Sequence, residues 1–224
     1  MLNRIKNKII VSVQAMPNEP LYKEECMLSM MQSVVNGGAG GLRVAGKRDV
    51  INAKKLGVPV IGITKPEKLP DNFKEVVYIT PTLIDVQLLI EADADIIAFD
   101  GTARKRPGGC SIADIVYKIK SAGKVSMADI STYEEAKICS DLGVDILSTT
   151  LSGYTLESIS DSKEPDYELL RLISSKLNVP VILEGRIWDP SQVNKAFELG
   201  AHAVVIGSAI TRPQLITKRF IEGV

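Results

Sequence analysis

Short apolar runs rich in β-branched residues recur along the chain, and a stretch with helical signals follows each one. The runs are Ile9–Val13, Gly41–Val44, Pro59–Ile63, Asp95–Phe99, Val125–Ala128, Asp145–Ser148, Pro180–Leu183 and Ala203–Ile206. None alternates strictly between apolar and polar residues, which predicts strands covered on both faces. Between them, Leu28, Met31, Val34 and Val35 share one helical face, and Asn36-Gly37-Gly38 ends that helix. Ser131 and Glu134 predict a capping box, in which each side chain satisfies a free N–H of the first helical turn. Asp189-Pro190 places a cap before a proline at the first helical position. Tyr78–Thr82 predicts a small extra strand or turn ahead of a helix.

Eight strand–helix units, with no linker or low-complexity tract between them, predict a single-domain α/β chain over residues 1–224. The fold expected is a (β/α)8 barrel, the TIM barrel, and an open doubly wound sheet is the alternative for the same pattern. A length of 224 residues suits that barrel, which typically needs about 250.

Charge narrows the partners. The 27 basic and 27 acidic residues cancel, which weighs against broad binding to nucleic acid or to anionic membrane. No run approaches the roughly 20 apolar residues of a membrane span. The basic start is followed by an apolar run too short for a signal peptide, so a cytoplasmic protein is expected. Cys26, Cys110 and Cys139 form neither a disulfide framework nor a zinc spacing, and reduced thiols are expected. No cluster of histidine, cysteine and carboxylates points to a catalytic metal. No glycine phrase for a dinucleotide or ATP occurs either, so no cofactor is expected.

Active sites of such barrels lie at the C-terminal ends of the strands. At or just past the eight runs stand Gln14, Arg43, Lys65, Asp100, Asp129, Thr149, Glu184 and Ser208. All are polar or charged, whereas a barrel without a ligand needs only packing and turn residues there. The loops after the seventh and eighth runs carry Glu184-Gly185-Arg186 and Gly207-Ser208, with Arg212 further on. Glycines let backbone N–H groups approach an anion closely, and arginine can add a bidentate contact, so Gly185, Arg186, Gly207 and Ser208 are candidate phosphate-binding residues. Lys65 directly after an apolar strand can be desolvated into a usable base; the plain alternative is a solvated loop lysine. Glu184 can exchange protons or bind hydroxyls, or it can pair with Arg186 or Lys65. Arg43 lies inside a short apolar run and needs an anionic or polar partner, which ligand phosphate, ligand carbonyl or Asp129 could supply. Asp100 heads a basic loop and is secondary. His202 precedes the last run and is expected at the opposite, structural face. Trp188 is expected in the loop or at the cavity rim.

At these residues the sequence resembles the N-acetylmannosamine-6-phosphate 2-epimerase family. The resemblance runs nearly end to end, through Ser12-Val-Gln14-Ala15, Gly37–Arg43, Gly62-Ile-Thr-Lys65, Tyr78–Thr82 and Asp100–Pro107. It continues through Met127–Thr132, Thr149–Thr155, Leu183–Ile187 and Val205–Phe220. It implies a cofactor-free isomerase of sialic-acid and amino-sugar catabolism. That enzyme converts N-acetylmannosamine 6-phosphate to N-acetylglucosamine 6-phosphate and is commonly a homodimer. By the resemblance, Lys65 and Glu184 are the catalytic pair, and Gln14, Arg43, Asp129 and Arg212 bind the sugar phosphate. The chain departs from the family pattern at Pro66 after the lysine, at Gly101 in place of alanine, and at Val44-Ala45 after the arginine. These departures bear on loop shape and substrate affinity. The expected chemistry is removal of the C2 proton from the ring-opened aldehyde, giving an enolate, and reprotonation on the other face. Two rival readings are another phosphate-binding barrel of amino-acid or thiamine biosynthesis and a non-catalytic sugar-phosphate sensor.

Overall fold

Eight parallel strands close into a barrel in chain order, with β1 pairing with both β2 and β8. They are β1 (Ile9–Val13), β2 (Gly41–Ala45), β3 (Val60–Ile63), β4 (Ile96–Asp100), β5 (Val125–Asp129), β6 (Ile146–Ser148), β7 (Val181–Glu184) and β8 (Ala203–Ile206). Residues 1–223 are described, in a computed structural model of the chain. Closure excludes the open doubly wound sheet, which would leave two strand edges unpaired. Every predicted run is a strand. β2, β4, β5 and β7 extend one residue beyond the predicted runs, and the last three end on Asp100, Asp129 and Glu184.

The helices are α1 (Leu2–Ile5), α2 (Glu24–Asn36), α3 (Lys47–Lys54), α4 (Leu83–Glu91) and α5 (Ile112–Ser121). After them come α6 (Tyr133–Asp141), α7 (Tyr167–Lys176), α8 (Pro190–Glu198), α9 (Ser208–Thr211) and α10 (Pro213–Glu222). None among the described residues is long and apolar enough to cross a membrane.

Alternation along each strand sorts the side chains into two cores. Ile10, Ile61, Ile96, Met127, Ile146 and Ile182 point inward and fill the barrel. Val11, Leu42, Ile97, Ala128, Leu147 and Val204 point outward against the helices. Further toward the C-terminal ends of the strands, the inward face carries Ser12, Arg43, Asp100, Asp129, Ser148 and Glu184. The barrel therefore has an apolar interior below and a polar mouth above. At the bottom, Ile5 of α1 joins the interior cluster. His202, on the same side, bonds the Leu2 carbonyl through Nε2, in keeping with the structural role expected of it.

The helix caps refine one expectation. The box at α6 is Thr132 with Glu135, one residue later than the predicted Ser131 and Glu134. Thr132 is the extended residue (φ −134°) before Tyr133, which makes Glu135 the third helical residue. Ser131 is buried and donates its hydroxyl to the same carboxylate at 2.7 Å. Asp189 caps α8 ahead of Pro190, as expected. Tyr78–Thr82 forms no strand; it is an irregular, bent segment whose last residue, Thr82, caps α4 in a box with Asp85.

Candidate active site

Three strands bring one arginine and two carboxylates together under the mouth. Arg43 from β2 donates through Nη1 to Asp129 Oδ1 at 3.0 Å and through Nη2 to Asp129 Oδ2 at 2.5 Å. Nη1 also donates to Glu184 Oε2 at 2.6 Å. Asp129 is fully buried and Arg43 nearly so. The partner Arg43 needed is thus Asp129, as one alternative held, and Glu184 as well. Glu184 pairs with Arg43 and with neither Arg186 nor Lys65. Burial pushes the Arg43 pKa down, but the two carboxylates more than reverse this and hold it above its ordinary value.

The Thr150 hydroxyl lies 2.8 Å from Asp129 Oδ1 and 3.1 Å from Glu184 Oε2, tying the carboxylates together. Sequence reasoning singled out Thr149 instead. That residue bonds the Glu184 backbone in both directions and is buried away from the carboxylates. Two adjacent threonines carry no local signal of which one faces inward.

Above this trio lies a cavity of about 420 Å³, in the size range of ligand sites. Gln14, Lys65, Glu184, Gly185, Arg186, Gly207, Ser208 and Arg212 all line it. Arg43 and Asp129 do not; they lie beneath its floor. Ser12, Thr150, Tyr154 and Thr211 join the lining without having been singled out as site residues, and Trp188 sits there as expected. Asp100 stands apart, held by Arg104 at 2.6 Å and by Thr102.

Lys65 donates to Gln14 Oε1 at 2.8 Å, and Gln14 in turn donates to Ser12 Oγ at 2.8 Å. The lysine side chain is open to cavity water but enclosed by the barrel mouth on its other sides. Poor solvation at that depth, with the Arg43 cation beside it, brings its pKa down to about 8; Glu184 and Asp129 pull the other way. Glu184 is held above the ordinary carboxylate range, by burial first and by the Asp129 charge, against the pull of Arg43. A lysine able to lose its proton and a carboxyl able to keep one thus line the same cavity.

The glycine loops stand at the far side. Gly185 has φ +114° and Arg186 has φ +59°, a pair of left-handed residues in succession. The Arg186 guanidinium braces the neighbouring loop: it donates to the carbonyls of Ser152 and Glu164, at 2.7 Å each, and stacks over Tyr154. Gly153 makes room for it, since a Cβ there would lie 2.5 Å from Arg186 Nη1. Arg212, expected to contact an anion, pairs in this structure with Glu19 and leaves its buried Nε without a partner. Glu19 was not foreseen, because a lone carboxylate in a loop has no distinguishing spacing. Trp188 is stacked under Arg219 of α10.

A family model described as "Putative N-acetylmannosamine-6-phosphate epimerase" matches residues 27–224. A relative from Caldanaerobacter subterraneus, "Putative N-acetylmannosamine-6-phosphate 2-epimerase", is 45% identical over 99% of this chain and 92% of its own. One of the same name from Clostridioides difficile is 43% identical over 100% of this chain and 99% of its own. The solved structure of the N-acetylmannosamine-6-phosphate 2-epimerase from Clostridium perfringens superposes with a TM-score of 0.94 at 43% identity. That match covers 100% of this chain and 96% of the other. A thiamine phosphate pyrophosphorylase from Pyrococcus furiosus, at 16% identity and TM-score 0.62, covering 98% of this chain and 96% of its own, shares the fold alone.

Proposed function

This chain belongs to the N-acetylmannosamine-6-phosphate epimerase family, and on that premise we propose that it interconverts N-acetylmannosamine 6-phosphate and N-acetylglucosamine 6-phosphate. The observation that carries the mechanism is the pairing, in one cavity, of a lysine with a lowered pKa and a carboxyl with a raised one.

Inversion at C2 requires that one bond to it break and re-form. In the ring-opened sugar the C2 proton is acidic, because the resulting charge spreads onto the aldehyde oxygen. With a pKa near 8, about one Lys65 in ten is neutral at pH 7 and able to take that proton. The enolate then faces the new Lys65 ammonium. Arg43 adds its field from beneath the floor, where its terminal N–H groups are already committed to Asp129 and Glu184. Glu184, able to hold a proton, returns one to C2 or serves the C1 oxygen during ring opening. Asp129 acts by holding Arg43 and Thr150. Backbone N–H groups of the Gly185 and Gly207–Ser208 loops receive the phosphate, with Arg212 at the cavity wall. Gln14 orients Lys65 and the sugar.

The test is to incubate the purified protein with N-acetylmannosamine 6-phosphate in D₂O and follow C2 by NMR. The expected result is the C2 epimer with deuterium at C2, both lost in Lys65→Ala. Absence of the epimer would overturn the assignment. A folded Lys65→Ala variant with wild-type turnover would overturn the role of the lysine.

The chain is read as a homodimer. α10 buries none of its residues and leaves Phe220 and Ile221 largely exposed, apolar surface that a second copy would cover. Light scattering that returned the 24.3 kDa of one chain would refute this. The cytoplasmic reading rests on the substrate, since a phosphorylated sugar does not cross a bilayer unaided.

A further inference from the structure

Glu184 is the last residue of β7, and the strand beside it ends too early to hold it. Pairing between β6 and β7 stops at Ser148 opposite Ile182, and the chain then leaves the barrel wall in a short 3₁₀ turn, Thr149–Leu151. The backbone and the carboxyl of Glu184 both need partners on that side. The two threonines of the turn take one each. Thr149 accepts from the Glu184 N–H and donates to the Glu184 carbonyl, both at 3.1 Å, so one hydroxyl continues the pairing where the strand has stopped. Thr150 puts its hydroxyl 3.1 Å from Glu184 Oε2, at the edge of the cavity that both residues line.

The protons around Thr150 can be counted. Its oxygen also lies 2.8 Å from Asp129 Oδ1 and 2.8 Å from Ser148 Oγ. A hydroxyl has one proton and two lone pairs. Whichever way Ser148 turns, Thr150 has at most one proton for two carboxylates. Were both ionised, at least one of the two contacts would be oxygen against oxygen with no proton between. A proton on Glu184 removes the conflict: the carboxyl donates to Thr150, and Thr150 donates to Asp129. Once Glu184 gives its proton up, the Thr150 hydroxyl turns to it, and Asp129 keeps its two bonds from Arg43.

We propose that Thr150 is a positioning residue for the epimerisation: its hydroxyl reverses direction with the charge on Glu184 and keeps that carboxyl aimed into the cavity in both protonation states, while Thr149 fixes the backbone that carries it. The proposal deepens the epimerase reading above and rests on it. Thr150 acts through Glu184, and its own proton never leaves it. The proton that moves is the one Glu184 gives to C2 or to the C1 oxygen.

The experiment measures kcat and KM for N-acetylmannosamine 6-phosphate by NMR, with folding followed by circular dichroism. The variants are Thr150→Val, Thr150→Ser, Glu184→Gln and the double variant Thr150→Val with Glu184→Gln. Valine keeps the shape of threonine and removes the hydroxyl. Its kcat is expected to fall at least about tenfold, a share of the roughly 10²–10⁴ that a placed acid or base supplies, with KM within about threefold of wild type. Serine keeps the hydroxyl and is expected to hold kcat within about threefold of wild type. On the Glu184→Gln background, Thr150→Val is expected to change kcat by less than about threefold, because residues that act as a unit are not additive. If Thr150→Val does not fold, Thr150→Ala takes its place in each comparison. Wild-type kcat in a folded variant lacking the hydroxyl would overturn the proposal, and so would a serine variant as slow as the valine one. Equal losses on the two backgrounds would show that Thr150 does not act through Glu184. A raised KM with kcat kept would make it a sugar contact instead, which also overturns the proposal. Absence of turnover by the wild-type protein would instead overturn the epimerase reading.

Discussion

Replacing Asp129 by asparagine tests whether this carboxylate holds the buried charge of Arg43. The guanidinium is 1% exposed and donates to Asp129 at 3.0 and 2.5 Å. Asparagine keeps an acceptor for one of these N–H groups and turns an NH₂ toward the other. One charge-assisted hydrogen bond is lost, and a donor meets a donor. A hydrogen bond to a charged group contributes about 1.5–3 kcal/mol, and breaking a buried ion pair outright costs about 3–5 kcal/mol. Glu184 remains 2.6 Å from Arg43 as a counter-charge, so the full cost is not reached, and a loss of about 2–4 kcal/mol is expected. With a urea slope of about 3 kcal/mol per molar, the unfolding midpoint followed by circular dichroism falls by about 1 M. Glu184 also loses the like charge that raises its pKa. Its carboxyl then moves toward the ordinary range, and kcat falls with it if it serves as the acid. A midpoint within about 0.2 M of wild type would refute the claim that Asp129 holds the arginine.

Three further outcomes are expected. Lys65 must be neutral to act as base and has a pKa of about 8, so in Glu184→Gln, where the second titrating group is gone, the residual kcat/KM rises about tenfold per pH unit up to the lysine's pKa and then levels; a flat profile of that variant over the two pH units below it would exclude this lysine as the base. Gly153→Ala places a Cβ 2.5 Å from Arg186 Nη1 at φ +86°, costing about 1–3 kcal/mol. It should also raise KM by loosening the Gly185 loop, and a variant with unchanged thermal midpoint and KM would contradict the brace. Gly101→Ala puts a Cβ 2.8 Å from Ala128 Cβ and 3.0 Å from Cys139 Sγ, costing about 1–3 kcal/mol. Cys139→Ala in the same chain should recover part of that loss, with a coupling of at least about 0.5 kcal/mol in a double-mutant cycle; zero coupling would show that Cys139 is not the obstacle.

The strands were legible because their signal is local. Runs such as Ile9–Val13 and Ala203–Ile206 are apolar on both faces over a few residues, and the sterics and burial that make them strands act within that window. The polar strand ends were legible for the same reason. The capping box at α6 was misplaced by one residue because Ser131 and Thr132 are chemically alike, and only the point where the chain turns into the helix separates them.

Residue type and position along the strands were therefore enough to mark Lys65 and Glu184 as candidates, and the glycine loops as a place for phosphate. Pairing was not readable in this way. An arginine inside an apolar strand demands an anion, but its partners lie on β5 and β7, which closure of the barrel carries to the same height. The same closure turned Thr150 inward where Thr149 was singled out, committed Arg186 to the next loop, and set Arg212 against Glu19. Local sterics act over a handful of residues, whereas the neighbours of a charge are chosen by where distant strands meet around the barrel.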